Sequence, residues 1–241
     1  MTKQHIEYKG FDIYIEQDIE PQNPRTEWDN LCTIVCWHPR YNLGDTHSLG
    51  NSDDLYEFLA DLDPDDFETY EQWQNLVSKK IAAMIDTHEL FIKPVYLYDH
   101  SGLSVSTSTY TCPWDSGQVG FIYVTKETLD KEGPHHYTPE QVSDILDGEV
   151  ETYNQYLTGA VYGYTVTHSD YGDLDLCWGF FGYDHEKSGL LAAAQASIDY
   201  EIKRIAKEEA EDRAAYQAKK HSKIKGWIKH RVPYQYRIYP A

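Results

Sequence analysis

The stretch TPEQVSDILDGEVETYNQYLTGAVYGYTVTH, residues 138–168, changes character partway along. Thr138, Pro139 and Gln141 supply an N-cap, a proline at the first helical position and a capping-box glutamine. Val142, Ile145, Leu146, Val150, Tyr153 and Leu157 then recur at helical spacing, and Gly159 ends the helix. From Val161 to His168 aromatic and β-branched residues take over, which predicts a strand. A well-capped helix running into a strand, with more strands on both sides, predicts an α+β fold. We expect a mixed or antiparallel sheet with packed helices and a long C-terminal helix.

Working toward the N-terminus, Gln118–Val124 and Pro94–Asp99 read as strands. Tyr70, Trp73, Val77, Ile81 and Met84 give a helix over about 66–86. Ser52 caps a shorter helix carrying Leu55, Phe58, Leu59 and Leu62, which Asp63-Pro64 stops. Leu31–Trp37 is apolar on both faces and reads as a central strand. His5–Tyr8 and Phe11–Glu16 flank Lys9-Gly10 as a hairpin. Toward the C-terminus, Leu174–Phe181 returns against Val161–His168 across a turn-rich loop. A long helix over about 186–221 keeps an apolar stripe (Leu191, Ala194, Ile198, Ile202, Ile205) in its first half only. A helix polar all round projects into solvent or packs on a partner. Gly226 and Pro233 are expected to break it, leaving a basic aromatic end with Tyr234, Tyr236 and Tyr239. The expected organisation is an α+β body over 1–185 and a helix with tail over 186–241 that is not an independent domain.

Hydrophobic residues make up 41% of the 241 and charged residues 25%, which excludes a wholly disordered or collagenous chain. There is no apolar run of about 20 residues and no signal-peptide core, so no membrane association and a cytoplasmic location are expected. The net charge is −19, and it is segregated. Residues 1–200 hold 35 acids and 10 bases, whereas from Arg213 onward there are 8 bases and no acid. The acidic part repels nucleic acid and favours basic partners. Direct nucleic-acid contact is open only to the tail, 213–241, which could instead dock on the acidic body of its own or another copy in a homo-oligomer.

Few residues suggest chemistry. Cys32 and Cys36, about 13 Å apart on an extended strand, cannot form a disulfide and read as reduced core thiols. His38, Asp45 and His47, with Asp99 and His100 at another strand end, could ligate a divalent ion, but their spacing matches no named metal motif. The plainer reading makes Asn42–Asp45 a turn whose neighbouring histidines bond to backbone. Asp99-His100-Ser101-Gly102 places carboxylate, imidazole and hydroxyl side by side, yet adjacent residues on an extended chain point to opposite faces. Cys112-Pro113-Trp114-Asp115-Ser116-Gly117-Gln118-Val119-Gly120 reads as a rigid loop that buries Trp114, with Gly117 and Gly120 permitting close backbone approach. No phosphate-binding glycine pattern is present, and no cofactor or metal is expected.

Five blocks carry a resemblance: Trp28-Asp29-Asn30-Leu31, Arg40-Tyr41-Asn42-Leu43-Gly44-Asp45, Tyr98-Asp99-His100-Ser101-Gly102, the Cys112–Gly120 loop, and Cys177-Trp178-Gly179-Phe180-Phe181-Gly182. Together they resemble a family of bacteriophage and mobile-element proteins with no settled activity. The resemblance implies a setting, an accessory gene expressed in a bacterial cytoplasm, and transfers no catalytic residue. The expected function is therefore protein–protein interaction by an acidic accessory protein, a counter-defence inhibitor that mimics the charge of DNA. Asp61, Asp63, Asp65, Asp66 and Glu68 are the expected partner-binding residues, and the expected partner is a basic host protein such as a nucleic-acid-binding enzyme. The alternative is a metal-dependent hydrolase or nucleotide-binding protein using His38, Asp45, His47 and Asp99, with His100 beside it.

Overall fold

The computed structural model describes residues 3–131 and 137–231. In chain order the elements are β1 (Gln4–Tyr8), β2 (Phe11–Gln17), α1 (Pro24–Glu27), β3 (Thr33–Cys36), α2 (Ser52–Ala60), a 3-10 turn (Pro64–Asp66), α3 (Tyr70–Asp86), β4 (Leu90–Asp99), β5 (Leu103–Ser106), β6 (Ser116–Thr125), α4 (Lys126–Lys131), α5 (Pro139–Leu157), β7 (Val161–His168), β8 (Gly172–Phe181) and α6 (Leu190–Arg231). The fold is α+β, with two four-stranded antiparallel sheets ordered β1-β2-β7-β8 and β3-β6-β4-β5. The chain forms two compact units that interleave along the sequence. One holds 17–163 and 178–188, and the other holds 2–16, 164–177 and 189 onward.

In the first unit, β6 pairs with β3 and β4, and β5 extends the sheet beyond β4. Successive side chains on β3 point to opposite faces. Ile34 joins Val95, Ile122 and Val124 in a cluster with Val142, Leu146 and Val150 of α5. Val35 joins Leu90 in a second cluster with Leu55 of α2 and Trp73, Val77 and Ile81 of α3. The sheet is thus covered by helices on both faces, and each fully buried aliphatic side chain contributes about 1.5–3 kcal/mol.

Two-sided burial makes β3 resemble a central strand in sequence, but it is an edge strand. Its outer side is sealed by the segment Leu43–Asp45 rather than by another strand. The Asp45 amide donates to the Ile34 carbonyl at 2.7 Å, and the Ile34 amide donates to Asp45 Oδ2 at 2.7 Å. Gly44 makes this approach possible. Its φ is 73°, and a Cβ there would lie 2.5 Å from the Ile34 carbonyl oxygen. Gly120 serves the inner side, where a Cβ would fall 1.9 Å from the Val35 carbonyl oxygen.

The helix ends follow local chemistry. α5 begins with the expected reciprocal capping box of Thr138 and Gln141. The cap of α2 is Asn51, one residue before Ser52, and its side chain accepts from the Asp53 and Asp54 amides. That helix ends at Asp61, whose φ is 47°, ahead of the expected stop at Asp63-Pro64. Asp63-Pro64 instead opens the 3-10 turn, and Thr69 caps α3 by accepting from the Gln72 amide.

In the second unit, Lys9 and Gly10 connect β1 to β2 with φ of 53° and 83°, the pair of left-handed residues that a tight hairpin favours. Phe11, Ile13 and Ile15 alternate into the interior. α6 buries Leu190, Ala194 and Ile198, leaves Ile202 and Ile205 half-buried, and is exposed at every position over 206–223. It does not break at Gly226 but runs to Arg231. Glycine keeps its amide and costs a helix only about 1 kcal/mol. The expected break at Pro233 and the aromatic tail, 232–241, lie outside the described residues.

Candidate functional site

The His38–His47 loop lines a cleft of about 640 Å³ with Cys36, Trp37 and Gly50. His38, Asp45 and His47 all reach its lining, but each has a local task. Asp45 is held by Arg25, whose Nε and Nη2 donate to its two carboxylate oxygens at 2.9 and 2.5 Å. The Arg25 side chain is only 1% exposed and also donates to Glu149 Oε2 at 2.7 Å and the Cys32 carbonyl at 2.7 Å. Glu149 Oε1 in turn accepts from the Leu31 and Cys32 amides, at 3.0 Å each. Burial alone would depress the Arg25 pKa, but its bonds to Asp45 and Glu149 outweigh this and raise it.

His47 Nε2 lies 3.0 Å from the Cys36 carbonyl, its ring packs edge-on against Trp37, and its Nδ1 is buried without a partner among the described residues. His38 stacks on Tyr41, and its Nδ1 accepts from the Arg40 amide at 3.3 Å. Among the described residues no three His, Cys, Asp or Glu side chains converge as a metal site would require. The Cys36 thiol is pushed up to about 12 by burial and the Asp45 charge, so it stays protonated and is a poor nucleophile at neutral pH.

Asp99 and His100 do not act on a common point. Asp99 pairs with Arg40, and Ser101 takes up a left-handed turn with φ of 60°. His100 Nδ1 lies 3.3 Å from Asp115 Oδ2. The order expected of a triad, hydroxyl to imidazole to carboxylate, is absent from this arrangement. The Cys112–Gly120 loop does not bury Trp114, which is 92% exposed. Gly120 provides the close approach to β3, whereas a Cβ at Gly117 would meet nothing within 4 Å. Arg25 and Glu149 carry no periodic or motif signal in the sequence, and the exposure of Trp114 cannot be read from its block, because these features depend on distant residues or on orientation.

The acidic face has a different character. Asp61, Asp63, Asp65, Asp66 and Glu68 are all exposed on the connection from α2 to α3. Between Arg40 and Lys79 the chain contains ten acids and neither lysine nor arginine. None of these five carboxylates forms an ion pair with the described residues. A groove of about 370 Å³ between α2 and α3 is lined by Asp53, Tyr56, Glu57 and Glu71 among others. Partial burial and the charges of Asp54 and Asp53 raise the Glu57 pKa. Phe58 is 63% exposed and Tyr70 61% exposed on the same helix pair. No helix among the described residues is long and apolar enough to cross a membrane. Compared with known proteins, the chain matches no family model, no curated protein and no solved structure.

Proposed function

We propose that the chain is an acidic accessory protein of phage or plasmid origin that acts in the bacterial cytoplasm by binding a basic host protein, in the manner of a DNA mimic. The observation that carries this reading is the α2–α3 segment, where exposed carboxylates without an ion pair among the described residues share a helix pair with the exposed rings of Phe58 and Tyr70. Acid-rich helices that serve solubility alone have no need of exposed aromatic rings, whereas interfaces combine apolar anchors with charged surroundings. The carboxylates supply a field like that of a phosphate backbone, which basic DNA-binding grooves attract. The hydrolase or nucleotide-binding alternative would need Asp45, whose carboxylate is already taken up by Arg25 and the Ile34 amide.

The test starts from a partner captured in phage- or plasmid-bearing cells. Its association rate is measured at about 0.05 and 0.5 M salt, where the screening length falls several-fold. The rate should drop at least tenfold with salt, duplex DNA should compete, and Asp61→Lys, Asp65→Lys and Asp66→Lys together should slow association with the fold intact. A rate indifferent to salt and to these substitutions would reduce the acidity to a solubility device and sink the mimicry reading.

A further inference from the structure

Trp114 is displayed by a loop that is held in place. Ser116 Oγ donates to the Cys112 carbonyl at 2.5 Å, and the Asp99 amide donates to the Asp115 carbonyl at 2.8 Å. Asp115 Oδ2 receives the Cys112 thiol at 3.6 Å and lies 3.3 Å from His100 Nδ1. Despite this bracing, the indole is 92% exposed and has no ring contact or hydrogen bond with the described residues. A tryptophan ordinarily buries about 150–250 Å² of surface. Here the backbone is fixed and the ring is not covered, an arrangement suited to meeting something from outside.

A cleft of about 350 Å³ opens beside the ring, lined by Trp37, Leu97, Val119, Asp99 and Asp115 among others. Its charge favours a cation over an anion. Asp99 and Asp115 face one arginine, Arg40, which is already bonded to Asp99, with the imidazoles of His38 on the lining and His100 against Asp115, and the chain as a whole carries −19. Arg40 also shows the preferred local chemistry, since its guanidinium lies 5.2 Å from the Tyr41 ring centroid while pairing with a carboxylate. Asp115 Oδ1 has no partner among the described residues.

We infer that this cleft receives an arginine side chain of the basic partner protein, its guanidinium stacked on Trp114 and donating to Asp115. Tryptophan is the best cation–π acceptor, and the planar guanidinium stacks on rings while its weakly hydrated N–H groups bond a carboxylate. The inference rests on the basic-partner reading above but uses a surface distinct from the α2–α3 face.

The test uses the full chain and two small probes, N-acetyl-arginine methylamide and its neutral isostere N-acetyl-citrulline methylamide. The Trp114 indole N–H resonance is assigned by its disappearance in Trp114→Phe. The arginine probe should shift it saturably, with weaker binding at high salt, and the citrulline probe should leave it in place. Asp115→Asn should weaken the arginine response about two- to fivefold. Trp114→Ala should abolish saturation transfer to the probe and speed dissociation of the captured partner. An equal response to both probes, no response to either, or a response untouched by Trp114→Ala would overturn the inference. The variant with Asp61→Lys, Asp65→Lys and Asp66→Lys separates the two ideas. If the arginine response fails while partner association stays sensitive to salt and to these substitutions, only the cleft assignment falls. If the arginine response holds and partner association is insensitive to both, the cleft takes arginine and the mimicry reading falls.

Discussion

Arg25 lies in a polar segment, PQNPRTEW, that reads as a surface loop, yet its side chain is among the most buried charges in the first unit. Two carboxylates and a backbone carbonyl take up its donors, and the same carboxylates satisfy the Leu31, Cys32 and Ile34 amides. Removing the cation would leave Asp45 and Glu149 facing each other in a poorly solvated place. Arg25→Met, which keeps the bulk, should lower unfolding free energy by about 3–5 kcal/mol, read by urea denaturation. A second residue sets a pH dependence. Asp147 is half-exposed on α5 and accepts from Lys93 Nζ at 2.8 Å and Thr107 Oγ1 at 2.7 Å. Burial would raise its pKa, but these bonds win and lower it below the ordinary 3.8. The stabilisation is therefore present above that value and is lost as pH falls through the lowered one. Asp147→Asn should make the acid side of the stability–pH curve shallower by lowering stability near neutrality, while changing little once pH is below the lowered value.

At the scale of elements, α6 divides at Ile205. Its first four turns bury Leu190, Ala194 and Ile198, and every position over 206–223 is exposed. A chain ending at Lys207 should melt within about 2 °C of the full chain, since little apolar area is removed. A drop of many degrees would show that the distal half is covered by a partner subunit. α5 was legible because its start signal is local: Thr138, Pro139 and Gln141 fix the first turn without tertiary help. β3 was legible as a buried strand but not as an edge, since a sequence shows burial on two faces and not what covers the third side. β5 was missed because LSVS is short and lacks turn residues of its own beyond Ser101-Gly102. The acidic face was readable as a run of charge. Its exposed Phe58 was read as part of the buried stripe of α2, because helical spacing alone does not separate the edge of a stripe from its centre.

Across the whole chain, a net charge of −19 repels itself in the folded state, and extended chains relieve that repulsion. Salt should therefore stabilise the protein even without a ligand. The melting temperature should rise between about 0.01 and 0.15 M sodium chloride, over which the screening length falls from about 30 to about 8 Å. If it stays flat, the Lys and Arg pairs in the fold already neutralise the field where it matters. The cleft at Trp114 and the exposed rings of Phe58 and Tyr70 escape sequence reading for a common reason. Both depend on which side chains remain uncovered after packing, and packing is settled by residues far along the chain.

The clamp on Arg25 also has a consequence for the order of events in folding. Arg25 and Glu149 are 124 residues apart, whereas Arg25 and Asp45 are separated by 20. Closing the longer loop costs more chain entropy and is repaid only once α5 has docked. The Glu149 arm of the clamp should thus form after the transition state is crossed. Arg25→Met should then accelerate unfolding and leave the refolding rate nearly unchanged, a φ-value near zero in a denaturant chevron. Until that late step, the Leu31 and Cys32 amides leading into β3 lack their acceptor, and the interval before it is when chains of this protein are most open to pairing with one another.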